Sequence, residues 1–379
     1  MAQHLAARGH QIDLIAFYNQ PDDPAQVDHY RSFFRNVQLI PEPKRSLASY
    51  LYRLAVPPRL FPQSGKESWS PPMWAAIAHR LSENRYDIVQ LFGGIQVYEY
   101  RHLVQSLPNV IVPYDSYSLY LERAFEQQAK PLQKILAGVQ LSVAHRYEQA
   151  MFMGYDRIVV LSEVDRHTLH MLNPQLPLHV IPNGIDTSYF SPSANLAVEP
   201  ILLFVGNFEY APNVDAALWL VHDIFPRIKQ RIPAARLLLV GNRPPDILSA
   251  LAAPDIEITR RVPDIRPYME RAAIFISPLR VGSGIKNKVL EAMAMGKPLV
   301  ATPLSGDGID LVSGTHVLYG TSADELAEAA IRLLNDNALR AAMGQANRQM
   351  IEAQFTWQRV ADQYEDLYKQ MRRKRGFAE

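Results

Sequence analysis

The sequence predicts an α/β fold with two domains. Its length of 379 residues exceeds the usual size of one domain and suggests two units of roughly 150 to 200 residues. Apolar runs of strand length alternate with helical patterns along most of the chain, and this alternation indicates parallel sheets with right-handed crossovers. A hydrophobic fraction of 48% beside 20% charged residues is typical of a globular protein with a large core.

Composition excludes several classes of function. A net charge of +1 argues against a dedicated nucleic-acid-binding protein. The absence of cysteine excludes disulfides and thiolate metal sites, and no run approaches the ~18 apolar residues that span a bilayer. Because the N-terminus is also too polar for a signal peptide, we expect a cytoplasmic protein.

The first domain is predicted to cover residues 1–192. A short helix ends at Gly9, a long helix runs from Leu132 to Met153, and Ser162 caps a further helix with Asp165 at its third position. Short apolar runs bounded by turn residues predict its strands. The remaining predicted elements are a helix from Trp74 to Asn84 and strands at His10 to Phe17, Tyr86 to Phe92, Asn109 to Val112, Asp156 to Leu161 and Leu178 to Ile181.

Two features of this domain leave alternatives open. The segment Arg45 to Pro62 mixes Leu, Tyr and Phe with Arg, which suits a helix packed on its own domain or a contact with a membrane or an acceptor substrate. Asp115 follows a predicted strand, at the end where α/β sheets bind ligands. Direct chemistry and capping of the next helix are both consistent with its position.

The second domain is predicted to cover residues 193–355, after a stretch rich in Ser, Pro and Asn. A final helix over residues 356–379 ends in a basic tail, Arg372 to Arg375, which suits a solvated end or a weak attraction to anionic lipid. The predicted strands are Ile201 to Val205, Ala235 to Val240, Ile256 to Thr259, Ala273 to Ser277 and Leu299 to Thr302, and the predicted helices are Asn213 to Arg231, Asp324 to Leu334 and Leu339 to Phe355.

The segment from Pro278 to Thr302 contains the strongest functional pattern. A turn made by Gly282, Ser283 and Gly284 precedes a helix from Ile285 to Met295, which Gly296 ends. The first backbone N–H groups of such a helix have no partner within it, and glycines allow a phosphate to approach them closely. This pattern therefore predicts an anion site.

Charged and amide side chains follow the turn. Lys286, Asn287 and Lys288 occupy the first helical turn, where cations oppose the helix dipole unless an anion is bound. Glu291 lies on the same face as Asn287 and Lys288. One carboxylate beside several cationic and amide groups suits a nucleotide sugar, with the carboxylate on the ribose hydroxyls. The alternative is a surface ion pair between Glu291 and Lys288 beside a glycine turn that only redirects the chain.

Five ordered blocks give the chain a family resemblance. They are VIPNGIDTSYFSP (180–192), LLFVGNFEYAPNVDAALWLVHDIFP (202–226), VPDIRPYMERAAIFISPL (262–279), GSGIKNKVLEAMAMGKPLVAT (282–302) and FTW (355–357). On these blocks the chain resembles the retaining glycosyltransferases of family 4, which have the GT-B fold, and most closely the bacterial branch associated with exopolysaccharide synthesis. The resemblance implies two Rossmann-like domains that face each other across a cleft.

The resemblance also implies the site residues and partners. The second domain would bind a nucleoside-diphosphate sugar, the first a glycan or lipid-linked acceptor, and the last helix would cross back to the first domain. Neither a metal nor a cofactor is implied, and peripheral contact with the inner face of the membrane is compatible with such acceptors. The implied catalytic residues are Asp115, Lys286 and Lys288, and the implied donor-binding residues are Gly206, Asn207, Val262, Gly282, Ser283, Gly284, Asn287, Leu290 and Glu291.

Several positions depart from the family pattern. A second Glu expected eight residues before Glu291 is replaced by Ser283, or by Val281 when the alignment starts from the strand. The usual Arg and Lys after the first strand of the second domain are replaced around Asn207 and Asn213, which moves the expected phosphate charge onto Lys286 and Lys288. A His often found in the first domain has no counterpart, and Tyr114 or Asp115 takes its neighbourhood.

The start of the chain also departs from the family. The family's first strand and Gly-rich loop would precede Met1, so we expect a first domain without its first strand. Three hypotheses follow: a glycosyltransferase, a catalytically degenerate nucleotide-sugar-binding or partner protein, and a nucleotide-sugar epimerase with the same fold. The NGIDTSYF and EAMAMG blocks favour the transferase over the epimerase.

Overall fold

The computed structural model describes residues 1–19, 27–43, 62–93, 97, 99–126, 131–192 and 199–374. The chain forms two compact units. The first unit contains Met1–Pro182 together with the chain from Trp357 onwards, and the second contains Asn183–Thr356. Helices alternate with strands of parallel sheets in both units, so the predicted α/β class is confirmed.

The first unit contains two parallel sheets. Strands β1 and β2 pair with each other, and β3, β4, β5 and β6 form a four-stranded sheet in that order. Apolar side chains at the centre of the second sheet are completely buried, as at Ile111 and Ile158. The elements are α1 (Ala2–Ala7), β1 (Asp13–Tyr18), α2 (Val27–Tyr30), β2 (Asn36–Pro41), α3 (Pro71–Glu83), β3 (Val89–Phe92), α4 (Arg101–Val104), β4 (Asn109–Tyr114), α5 (Tyr117–Glu126), α6 (Pro131–Met151), β5 (Arg157–Val160), α7 (Glu163–Leu172) and β6 (Leu178–Val180).

The second unit is built on one six-stranded parallel sheet with the order β12-β11-β10-β7-β8-β9. Because β7 lies inside this order while the chain adds strands first on one side and then on the other, the sheet is doubly wound. Its elements are β7 (Glu199–Asn207), α8 (Ala211–Trp219), a π-helical turn (Leu220–Ile224), α9 (Phe225–Arg231), β8 (Arg236–Asn242), α10 (Asp246–Ser249), β9 (Ile256–Ile258), α11 (Arg266–Arg271), β10 (Ala272–Ser277), α12 (Asn287–Ala294), β11 (Leu299–Ala301), a 3-10 turn (Pro303–Gly306), β12 (Val317–Tyr319), α13 (Ala323–Asn335) and α14 (Asn337–Gln354).

The sequence predicts a domain boundary between residues 192 and 193, and the structure divides the chain earlier. The second unit begins at Asn183. Two contacts explain this difference: Ile185 forms a β-bridge with Thr356, and the Arg348 guanidinium donates to the carbonyls of Thr187 and Phe190. The Ser- and Pro-rich stretch that suggested the later boundary belongs to the second unit.

The helix α15 (Trp357–Lys374) belongs to the first unit. Its side chains Val360, Tyr364, Leu367 and Met371 are buried in one apolar cluster with residues of β4 and β5. The Tyr368 hydroxyl donates to the Gln90 carboxamide of β3. The first unit is therefore completed by a segment that follows the whole of the second unit in the sequence.

Some elements differ from the sequence predictions. Strands β2 and β12 were not predicted, because NVQLIP contains Asn, Gln and Pro and VLY is only three residues long. The single helix predicted from Asn213 to Arg231 begins at Ala211 and contains a π-helical turn at its centre, directly before Pro226. The segment Arg45 to Pro62 lies outside the described residues except for Pro62, and the strand expected before Met1 remains a prediction.

Candidate functional site

The candidate site lies in the second unit, at the carboxyl ends of β7, β8 and β10. The two central strands come very close together there, since a Cβ atom at Gly241 would lie 1.7 Å from the Gly206 carbonyl oxygen. Gly206 is buried, whereas the next residue, Asn207, is exposed. Glycines at this edge let the backbone of the β7 to α8 loop pass beside β8 without a side chain between them.

The glycine turn after β10 has the conformation that the sequence predicted. Gly282 and Gly284 have φ angles of 140° and 67°, which side chains other than glycine rarely allow. Lys286 is the N-cap of α12, only 8% exposed, and its ammonium donates to the carbonyl oxygens of Ser283 (3.1 Å) and Gly284 (2.5 Å). Lys286 thus stabilises the turn through hydrogen bonds to two of its carbonyl groups.

Lys288 is the second residue of α12 and reaches back toward β7. Its ammonium donates to the Asn213 carboxamide oxygen at 2.5 Å and lies 4.5 Å from the centre of the Phe204 ring. Asn213 in turn donates to the carbonyl of Asn207 at 2.8 Å. Burial, together with the charge of Lys286, lowers the pKa of Lys288 to about 7, although Glu291 opposes the change. The Lys288 amine, whose charged form is disfavoured by burial, is therefore held beside the glycine turn.

Glu291 lies one helical turn after Lys288 on α12. Burial raises the pKa of this carboxyl group, and the nearby Lys288 charge partly offsets the rise. Both side chains are partly buried, which disfavours the alternative of a fully solvated surface ion pair. The pair forms a polar cluster in restricted surroundings, which is characteristic of ligand sites.

The remaining predicted donor residues are distributed around this cluster. Asn287 is exposed, and its carboxamide oxygen accepts from the Asn183 side chain at 2.9 Å. Leu290 is completely buried and contributes to the helix core. Val262 lies after β9, on the wall of a shallow depression that Pro263, Pro267 and Tyr268 also line. The Leu290 side chain therefore packs in the core, and its part in donor binding stays a prediction.

The end of α12 also matches its prediction. Gly296 has a φ of 64°, its N–H donates to the Met293 carbonyl, and the Lys297 N–H donates to the Ala292 carbonyl. This pair of hydrogen bonds is the Schellman arrangement. Gly344 of α14 packs against the same end, because a Cβ atom there would lie 2.2 Å from the Gly296 oxygen. The helix that carries Lys288 and Glu291 is therefore fixed at its far end.

Asp115 belongs to the first unit and is not part of this cluster. It is exposed and follows β4. The cap of α5 comes from the next residue, because the Ser116 hydroxyl accepts from the Leu119 N–H at 3.2 Å. The structure therefore brings together Lys286, Lys288, Glu291 and the loops at Gly206 and Gly282, and it leaves Asp115 on the other unit.

Two partners of the cluster were not predicted from the sequence. Asn183 and Phe204 lie in the blocks 180–192 and 202–226 but were not singled out as site residues, because each meets the cluster only through folding of distant segments. Within the described ranges, no group of three or more His, Cys, Asp or Glu side chains is arranged to hold a metal ion. Among the helices described, none combines the length and the apolar character that crossing a bilayer requires.

Comparison with known proteins shows the relationship of this chain. A family model described as Glycosyltransferase Family 4 matches residues 1–189, and one described as Glycosyl transferases group 1 matches residues 199–336. The chain is 26% identical over 284 residues to an alpha-maltose-1-phosphate synthase of Mycobacterium tuberculosis, an alignment of 64% of this chain and 70% of that protein.

A second relative is the GDP-mannose-dependent monoacylated alpha-(1-6)-phosphatidylinositol monomannoside mannosyltransferase of Corynebacterium glutamicum. It is 27% identical over 233 residues, which are 55% of this chain and 61% of the relative. Among solved structures, the sucrose-phosphate synthase of Thermosynechococcus elongatus aligns with a TM-score of 0.72 at 20% identity, over 98% of this chain and 91% of that one. The chain therefore belongs to glycosyltransferase family 4 and has the GT-B fold.

Proposed function

We propose that the protein transfers a sugar from a nucleoside diphosphate to a hydroxyl group of a glycan or glycolipid, with retention of the anomeric configuration. The observation that carries this proposal is the cluster of buried Asn213 with partly buried Lys288 and Glu291, behind a glycine turn at the start of α12. Family membership supports the transferase class, and one relative is named for its use of GDP-mannose. Synthesis of a surface polysaccharide remains a prediction.

Each group in the cluster has a role in this reaction. The exposed amides at the start of α12 and the Lys288 ammonium would bind the diphosphate, whose charge grows as the bond to the sugar breaks. Glu291 would accept hydrogen bonds from the ribose hydroxyls. Lys286, whose ammonium is held by two carbonyls, would shape the turn rather than contact phosphate directly.

The reaction balances without a redox partner. The bond between the anomeric carbon and the diphosphate oxygen breaks, a bond to the acceptor oxygen forms, and the hydroxyl proton leaves with the nucleoside diphosphate. Lys288 and the loop amides would stabilise the leaving group, so we propose that no metal ion or cofactor is needed. Asp115 is the candidate that would contact the acceptor or the reacting sugar.

Calorimetric titration of UDP, GDP and ADP into the full chain tests the donor site. We expect one nucleotide to bind saturably and Glu291→Ala to weaken its binding by at least about tenfold, because a carboxylate that accepts from two hydroxyls is lost. Glu328→Ala is the matched control, since Glu328 lies on α13 of the same unit in an exposed pair with Arg231. A folded protein that binds none of the three nucleotides contradicts the proposal and favours a degenerate partner protein.

A cytoplasmic location, with contact at the inner face of the membrane, is part of the same proposal, since a glycolipid acceptor would lie at that surface. The basic residues Arg372 and Arg373 near the end of α15 are the described groups that suit anionic lipid.

A further inference from the structure

Exposed aromatic rings are concentrated at the carboxyl ends of β3 and β4 in the first unit. Phe92 ends β3 and is 39% exposed, and Tyr114 ends β4 and is 44% exposed. Their rings stack with centroids 6.3 Å apart and planes inclined by 25°. Large apolar side chains of this kind are normally buried, so a stacked exposed pair at a ligand-binding sheet edge needs a reason.

A second stacked pair follows in the next helix. Tyr117 is 45% exposed, and its ring lies 6.3 Å from that of Tyr120 with an angle of 17° between the planes. Asp115 is exposed between Tyr114 and Tyr117 in the chain. The two ring pairs and this carboxylate form what we call the aromatic platform, defined by Phe92, Tyr114, Asp115, Tyr117 and Tyr120.

Two buried carboxylates hold the loop of the platform in place. Glu148 of α6, 3% exposed, accepts from the Tyr117 N–H at 2.7 Å, the Ser118 N–H at 3.2 Å and the Ser116 hydroxyl at 3.0 Å. Asp165 of α7, which is fully buried, accepts from the Ser116 N–H at 2.9 Å. Three successive backbone N–H groups are therefore fixed by acidic side chains from two other helices.

The backbone of Tyr114 shows that this arrangement has a cost. Tyr114 has a φ of 74°, a left-handed conformation that a bulky residue rarely adopts. Burial of its hydroxyl side raises the pKa of the Tyr114 phenol, although the ring remains partly exposed. Strained backbone that is held by buried hydrogen bonds commonly marks a functional surface.

We propose that the aromatic platform binds a pyranose ring of the acceptor, which specifies the acceptor as a saccharide rather than a bare lipid phosphate. A sugar ring has one apolar face of C–H groups that suits a flat aromatic side chain, while its rim carries hydroxyl groups that suit phenol and carboxylate oxygens. Phe92 and Tyr114 supply the flat surface, and Asp115 and Tyr117 supply polar atoms. This inference rests on the proposed glycosyltransferase function.

Saturation-transfer NMR with the full chain tests the platform. The probes are methyl α-glucopyranoside, methyl α-galactopyranoside and methyl α-mannopyranoside, with geranyl phosphate as a lipid phosphate that has no sugar. We expect saturation to reach the ring protons of at least one glycoside, and we expect Tyr114→Ala and Tyr117→Ala to weaken that binding by about tenfold. Tyr189→Ala is the matched control, because Tyr189 is 43% exposed in the second unit.

The same samples distinguish the possible failures. If nucleotide binds but no saturation reaches the ring protons of any glycoside, the platform proposal is overturned and the donor-site proposal stands. Glycoside binding that survives both tyrosine variants also overturns it. A further outcome is that geranyl phosphate binds more strongly than the glycosides do and that both variants abolish this binding. This result would assign the surface to a lipid phosphate and refute the sugar assignment. Loss of nucleotide binding in Tyr117→Ala would place the rings in the donor site and would equally contradict the proposal.

Discussion

The two units present their functional groups in different ways. In the second unit, the glycine turn, Lys286, Lys288 and Glu291 lie within ten residues of one another, and a single helix carries the partly buried Lys288 and Glu291. In the first unit, the aromatic platform takes rings from two strands and one helix, and its supporting carboxylates Glu148 and Asp165 come from two further helices. One site is local in the sequence, and the other depends on tertiary structure.

This difference suggests how the two sites tolerate change. A nucleoside diphosphate presents the same phosphates and ribose whatever sugar it carries, so a short motif at a helix N-terminus can recognise it. Acceptors vary in shape, and a surface assembled from separate segments can change one residue at a time. Three predictions address whether the two units are really independent in this way.

The largest effect is expected from Gly241→Ala in the second unit. The new Cβ atom would lie 1.7 Å from the Gly206 carbonyl oxygen and 2.8 Å from Phe208, so the central strands must separate. We expect a loss of more than about 3 kcal/mol in the free energy of unfolding, at the upper end of overpacking effects, together with loss of nucleotide binding. Thermal and denaturant unfolding measure the change in stability, and calorimetry measures nucleotide binding.

Gly138→Ala in the first unit is the matched control for this prediction. Gly138 lies within α6, and a Cβ atom there would meet the Phe125 ring at 3.4 Å, an ordinary contact distance. Removing a glycine from a helix interior should stabilise the protein by about 0.5–1 kcal/mol. Equal destabilisation by the two variants would show that the close approach of β7 and β8 is not the reason for Gly241.

A smaller and more local effect is expected from Glu148→Ala. The change leaves the N–H groups of Tyr117 and Ser118 without their acceptor and opens a cavity, which should cost about 3 kcal/mol. Hydrogen exchange should accelerate in residues 115–126 while nucleotide binding stays unchanged. Glu122→Ala, which removes an exposed partner of His145, should change stability by no more than about 0.5 kcal/mol.

The independence of the two units would be contradicted if Glu148→Ala weakened nucleotide binding as much as Glu291→Ala does. Such a result would mean that the donor site depends on the loop of the aromatic platform, and that the two units do not act separately.

The smallest effect is a pH dependence of donor binding. The pKa of Lys288 is lowered to about 7 in the folded protein, so the unfolded chain binds more protons than the folded one between about pH 7 and 10.5. Stability without ligand should therefore gain from this group as pH rises through that range. A bound diphosphate favours the charged lysine, so nucleotide binding should take up a proton and weaken by up to about tenfold from pH 7.5 to 8.5.

Lys288→Arg provides the test of that assignment. An arginine stays charged throughout the range, so its variant should bind nucleotide with a flatter pH profile. Calorimetry in two buffers of different ionisation enthalpy measures the proton uptake directly. Equal proton uptake by the wild type and by Lys288→Arg would show that another group titrates.

The sequence predicted local features well and tertiary features poorly. Most of the strand and helix pattern, the glycine turn, the helix end at Gly296 and the Ser162 cap were read from neighbouring residues, and the structure confirms them. The unit boundary in the structure lies before residue 183 rather than after 192, since the contacts of Arg348 with Thr187 and Phe190 join segments more than 150 residues apart. Local composition does not contain that information.

The candidate site shows the same division. Lys288 and Glu291 were identified from their helical spacing, but nothing in that spacing indicated that the Lys288 ammonium would donate to Asn213 of α8. Lys286 was predicted as a phosphate contact, whereas its ammonium is engaged by the carbonyls of its own turn. Side-chain direction at a helix start depends on which acceptors are nearest, and spacing alone does not determine it.

The position of α15 has a consequence for the order of folding during synthesis. The second unit ends at Thr356 and can form as soon as that residue leaves the ribosome, whereas the cluster of Val110, Val112 and Val159 gains its cover only when α15 emerges. The unit whose strands are made earlier is therefore finished later than the second unit. Until then, the apolar face of β4 and β5 is open to chaperones and to misassociation with other nascent chains.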